Sequence, residues 1–146
     1  MVDIEVLKTQ FLDTEFDRTE FQIKTADLVT VANASGETRP QFTDPDHADF
    51  QAAPAFLGSL SSGRHLPIDF PSMGGIPMDG GKAVTCLLPV RPEVPMTGKS
   101  HIHEIYDKQG RSGRMIFIVV RHEVFDQDDV HLASIDSRLV IREKSV

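Results

Sequence analysis

Residues 106–125, Tyr-Asp-Lys-Gln-Gly-Arg-Ser-Gly-Arg-Met-Ile-Phe-Ile-Val-Val-Arg-His-Glu-Val-Phe, constrain the fold more than any other part of the chain. The apolar centre, 115–120, is far shorter than the ~20 residues that span a bilayer and too β-branched to favour a helix. It reads as a buried strand. Polar turn residues bracket it, Gly110-Arg-Ser-Gly113 before and Asp126-Gln-Asp-Asp129 after, which predicts an antiparallel meander. From Lys82 onward the reading is all strand: 84–90, about 99–107, 114–125 and 131–143. The last alternates, with Ala133, Ile135, Leu139 and Ile141 facing one way and Asp136, Arg138 and Arg142 the other.

The first half is less regular. Residues 1–12 form a short helix or an extended arm, and 16–23 read as a strand with Thr19, Phe21 and Ile23 on one face and Glu20 and Gln22 on the other. Thr25 reads as an N-cap with Asp27 in the first turn. Leu28, Val31, Ala32 and Ser35 follow at helical spacing, and Gly36 supplies the stop. Asp44-Pro45 predicts a short helix to about Gln51, and 54–60 predict two helical turns. The Gly- and Pro-rich stretch 61–81 is long for a loop inside a compact domain, and such loops are usually functional or mobile. One strand, a helical region and four antiparallel strands give an α+β chain, read as a single domain over 1–146.

Composition limits the partners. The net charge of −7 argues against a nucleic-acid groove or an anionic membrane surface. The start, Met-Val-Asp-Ile-Glu-Val, is acidic where a secretory signal is basic and then apolar. One cysteine, Cys86, cannot form an internal disulfide and reads as a small core residue. A soluble cytoplasmic protein is expected.

The tyrosine, basic residue, Gly-Arg-Ser-Gly, apolar strand and Gln-Asp turn of 106–129 resemble the C-terminal half of MaoC-like dehydratase domains. The resemblance covers about 16–143. It implies the hot-dog fold, a curved antiparallel sheet of about five strands around a short central helix. Such proteins hydrate enoyl thioesters or dehydrate hydroxyacyl thioesters. Their catalytic members carry Asp-x-Asn-Pro-x-His after the first amphipathic helix. The Asp and His hold a water and move its proton, and a backbone amide stabilises the enolate oxygen. At the matching place this chain has Gly36-Glu-Thr-Arg-Pro-Gln-Phe42, followed by Thr43-Asp-Pro45. Glu37 stands for the Asp, Arg39 for the Asn and Phe42 for the His. A phenyl ring has no proton to exchange, so no catalytic residue is expected here, Glu37 remaining a candidate.

The resemblance therefore implies a degenerate, non-catalytic subunit that shapes the acyl tunnel for a MaoC-like hot-dog partner carrying the Asp/His dyad, and a homodimer in that partner's absence. It implies an acyl-CoA or acyl-carrier thioester as ligand and no cofactor. Two other readings stay open: a homodimeric hydratase or thioesterase using Glu37, and an acyl-thioester binding protein.

Six substrate contacts are expected. Phe42 and Phe56 are assigned to the wall of an acyl cavity, with a plain core position as the alternative for Phe56, and His65, in the long loop, to a substrate contact. Arg39 stands at the edge of the cleft or pairs with Glu37. Arg111 and Arg114 flank Ser112-Gly113, forming an anion site for coenzyme A phosphates or a solvated hairpin tip. His101 and His103 share a strand face, but no Cys or third His completes a site, so no metal is expected. His47 and His131 are expected at the surface. Ser59, Ser61 and Ser62 lack a hydrolase elbow, and the Gly pairs lack phosphate-loop spacing.

Overall fold

A computed structural model describes residues 2–61 and 63–143; Ser62 lies outside them. Nine elements run in the order α1 (Ile4–Phe11), β1 (Glu15–Phe21), α2 (Thr25–Ala34), α3 (Pro40–Thr43), α4 (Pro54–Leu57), β2 (Pro77–Cys86), β3 (Met96–Gly110), β4 (Gly113–Phe125) and β5 (His131–Arg142). All strand pairs are antiparallel, in the order β1-β3-β4-β5-β2. The meander read from the sequence is therefore the centre of the sheet, and β1 and β2 are its edges. Register shifts at Glu15/Asp17, Asp79/Lys82, Ile102/Glu104 and Val124/Phe125 bend the strands. No helix among the described residues is long and apolar enough to cross a membrane.

One face of the sheet is buried, and two apolar clusters occupy it. The first joins Met96, Val124, Ala133 and Ile135 to Leu28 of α2 and Leu57 of α4. The second joins Ile102, Ile105, Ile116, Ile118 and Ile141 to Ile4, Leu7 and Phe11, which fall on one stripe of α1. Asp3 starts that helix, its carboxylate accepting from the amides of Glu5 at 2.9 Å and Val6 at 3.4 Å.

The structure corrects several local expectations. Thr25 is the first helical residue and not the cap; Lys24 is the N-cap and offers no side-chain bond. The Thr25 amide instead donates to Glu93 Oε1 at 2.9 Å, a cap supplied from 68 residues away. Gly36, at φ +75°, ends the helix as expected. Asp44-Pro45 opens a turn, not a helix, because Asp44 Oδ1 accepts from the Asp46 amide at 2.9 Å. The helical turn begins earlier, at Pro40. Residues 54–60 make one α-turn, Pro54–Leu57, rather than two. The strand expected at 84–90 lies at Pro77–Cys86, so the last part of the expected loop, 77–81, is strand. Cys86 is exposed, since β2 is an edge strand with hardly a buried position. His131 is half-buried, its Nε2 lying 2.9 Å from Ser134 Oγ and 3.0 Å from the Ala133 carbonyl oxygen.

Candidate functional site

A cavity of about 360 Å³ lies between the two clusters, against the buried face of the sheet. That is within the range of about 300–1,000 Å³ typical of small-molecule sites. Val120 of β4, Leu139 of β5 and Leu60 give it an apolar wall. The edge strand β2 contributes Pro77, Met78, Asp79 and Lys82, and Lys82 Nζ donates to the Gly58 carbonyl at 2.9 Å, tying β2 to the end of α4. His65, from the long loop, lines the cavity as well. Its floor carries Ser100 and His122, both buried, with Ser100 Oγ 2.9 Å from His122 Nδ1. Burial pushes the His122 imidazole below its usual 6.5, and the nearby charge of Asp17 opposes that shift without reversing it.

The residues at the place of the catalytic motif form a closed set. Arg39 donates through Nε to Glu37 Oε1 at 2.8 Å and through a terminal nitrogen to Oε2 at 3.0 Å. The Arg39 amide donates to the same carboxylate, and the guanidinium carbon sits 4.6 Å from the Phe42 ring centroid. Arg39 thereby holds the Glu37 carboxyl down, from 4.5 to about 2. A carboxylate so stabilised is a poor base at neutral pH. Phe42 is buried beneath this pair.

Of the six expected contacts, then, only His65 lines this cavity. Arg39 and Phe42 pack with Glu37 away from it. Phe56 packs against the first apolar cluster. Arg111 is exposed in the two-residue turn between the paired Gly110 and Gly113. Arg114 donates to Asp107 Oδ2 at 2.7 Å, to the Val2 carbonyl at 2.6 Å and to Glu143 Oε2 at 3.3 Å, so it clasps both ends of the described chain. His122 is the residue that sequence reasoning missed. The signal was available: Ile116, Ile118, Val120, His122 and Val124 share one parity, which places the imidazole among inward residues.

On the opposite face, Asp13 brings a carboxylate into a group with His101 and His103 whose potential ligand atoms lie within 4.8 Å of one another. Asp13 has φ 59°, and its amide donates to the Ile102 carbonyl, which fixes it beside the bulged His103. His101 Nδ1 also lies 3.3 Å from Glu123 Oε1.

Residues 10–135 match the family model described as FAS1-like, dehydratase domain region. No curated protein matches the sequence. Among solved structures, a MaoC-like dehydratase from Phytophthora capsici aligns with a TM-score of 0.67 and 21% identity, over 99% of this chain and 51% of that one. A chain of the ChsH1-ChsH2 complex from Mycobacterium tuberculosis gives 0.66 and 15%, over 98% and 90%. The HadBC (3R-hydroxyacyl-ACP dehydratase) complex from the same organism gives 0.62 and 16%, over 88% and 99%. The likeness is one of fold: a curved, five-stranded antiparallel hot-dog sheet. The chain spans about half the length of the Phytophthora protein.

Proposed function

Because the chain belongs to the FAS1-like dehydratase domain family, we propose that it is an accessory hot-dog subunit of an enoyl-thioester hydratase or 3-hydroxyacyl-thioester dehydratase. It holds the acyl group while a partner carrying the Asp/His dyad does the chemistry. Phe42 is the observation that carries this reading. Hydration puts the hydroxyl of water on the β-carbon and a proton on the α-carbon, so a group must take one proton and deliver another. Phe42 does neither, and Glu37, held at about 2 by Arg39, is a weak substitute.

The cavity supports the other half of the proposal. It is mainly apolar, and it is bordered by β2, whose outer edge pairs with no strand among the described residues. Ile76, Met78, Leu87 and Leu88 are exposed in and beside that strand. An unpaired edge with apolar neighbours favours pairing with another chain. The ChsH1-ChsH2 and HadBC structures to which the chain is similar are themselves complexes. The purified chain alone should be a homodimer, and a monomeric mass in light scattering contradicts this.

The test is turnover of crotonyl-CoA and longer enoyl-CoA by the chain alone and together with a MaoC-like subunit that carries the Asp/His dyad. Trace activity alone and ordinary turnover together support the reading. Ordinary turnover by the chain alone, abolished by Glu37→Gln, replaces it with a homodimeric enzyme. Acyl-thioester binding without turnover in either preparation replaces it with a binding protein.

A further inference from the structure

The buried face of the sheet is hydrocarbon nearly throughout, yet one level of it is polar. Along β3 its residues are Met96, Gly98, Ser100 and Ile102; along β4, Val124, His122, Val120, Ile118 and Ile116; along β5, Ala133, Ile135, Ser137, Leu139 and Ile141. Cross-strand register sets Ser100 beside His122 and Val120 beside Ser137. This polar seam divides the two apolar clusters, and Ser100, His122 and Ser137 all line the cavity. Burying polar groups costs free energy unless they find partners, so packing alone would favour Val or Ile there.

The seam is also specifically housed. A Cβ on Gly98 would lie 2.6 Å from His122 Nε2, so the imidazole fits only because residue 98 has no side chain. A neutral imidazole offers one donor and one acceptor. Ser100 engages Nδ1, which leaves Nε2 as the ring's remaining polar atom, and none of the described residues bonds to it. His122 lines the cavity, and opposite Ser100 on β1 the Asp17 Oδ2 atom is buried without a partner among the described residues, so the seam carries unmet hydrogen-bonding capacity.

We propose that the Ser100–His122 pair recognises one hydrogen-bonding oxygen, a ketone or hydroxyl, carried within an otherwise hydrocarbon acyl group, so that the cavity selects oxygenated acyl chains over plain ones. The inference rests on the acyl-holding reading above and names its substrate class. A site built to bond a substrate oxygen rejects the analogue lacking it, because its own polar groups are then left unpaired. His65 and Ser137, also on the wall, offer further polar contacts for a hydroxyl.

Equilibrium binding of dodecanoic acid and of its positional oxo-isomers to the purified full-length chain tests this. One isomer is expected to bind about tenfold more tightly than the plain acid, the effect of one well-placed hydrogen bond. Ser100→Ala and His122→Leu should each remove that preference, so that the oxo-isomers and the plain acid bind such a variant alike. In long-range nitrogen NMR of the wild type, the His122 Nε2 resonance should move with the preferred oxo acid and not with dodecanoic acid. If a variant fails to fold, the wild-type binding series and this resonance decide. A wild type that binds dodecanoic acid as well as every oxo-isomer, an oxo preference that survives His122→Leu, or an unmoved Nε2 resonance overturns the inference and leaves the acyl-holding reading intact. If neither kind of acid binds, the acyl-holding reading falls and the inference with it.

Discussion

The meander β3–β5 and the segment between α2 and β2 are held in different ways. In the meander, residues alternate with period two, every strand is paired on both sides, and Ile102, Ile105, Ile116, Ile118 and Ile135 are wholly buried. Between α2 and β2 the described chain has two single-turn helices and is positioned by individual hydrogen bonds. Arg91 donates to the carbonyls of Ala48 at 3.3 Å and Phe50 at 3.2 Å, the Gln51 amide to Gln41 at 2.9 Å, and the Ala52 amide to Val90 at 2.8 Å. Cooperative burial along continuous paired strands fixes the first region; the second is fixed by separate hydrogen bonds and by the few side chains, Phe50, Ala52 and Leu57, that it lends to the first cluster. The cavity lies where they meet, with a rigid floor from the sheet and a wall from the less regular segment.

That contrast can be broken at graded strength. The largest effect is expected from Ile118→Ala, which empties a fully buried position in the second cluster. It should cost about 2–5 kcal/mol in urea unfolding. A loss well under that would mean the meander repacks easily and is not the rigid partner. Arg91→Ala should act locally: hydrogen exchange at residues 48–52 should quicken while the amides of β4 stay protected. Equal loosening of both regions would erase the distinction.

Two titrations sharpen it further. The folded-state pKa of His122 lies below 6.5, so the unfolded chain binds the extra proton first as pH falls. Its contribution is present above 6.5 and is lost on acidification below it. The decline in stability from about pH 7 to about pH 5 should therefore be shallower in His122→Leu than in wild type. Glu37 should give the smallest effect. Its carboxyl is depressed from 4.5 to about 2, so its contribution is present above 4.5 and is lost between those values. Glu37→Gln should lower the melting temperature at neutral pH only slightly, since surface ion pairs contribute little, and should flatten the acid limb, where the wild type loses this contribution. A marked fall at neutral pH would show that the Glu37–Arg39–Phe42 unit anchors the middle segment.

Legibility in the sequence follows the same division. The strands 99–107, 114–125 and 131–143 were readable because one face of each is buried, which writes period two into the residues. Helix α2 was readable from Leu28, Ala32 and Gly36. The Asp44 turn was misread because Asp-Pro opens helices and turns alike, and the deciding bond, to the Asp46 amide, leaves no periodic trace. The exposure of Cys86 depends on β2 being an edge, which only the strand order reveals. Phe42 and Phe56 were placed at a cavity wall from the resemblance, Phe42 standing at the motif's His position and Phe56 in the short helix, with a core position as the alternative for Phe56; Phe42 packs with Arg39 and Phe56 with the first cluster. Ser100 and His122 are 22 residues apart, and it is register that joins them.

The central claim is that this chain houses the acyl group and leaves the chemical step to its partner. The most direct measurement is kcat/KM of the assembled hydratase on crotonyl-CoA and on a long enoyl-CoA, with wild-type chain and with Leu139→Trp, which fills the cavity from its sheet wall. The account expects the long substrate to lose about tenfold or more while crotonyl-CoA is nearly unaffected, because a remote wall touches only the long chain. An equal loss on both substrates, or no loss on the long one, would contradict it.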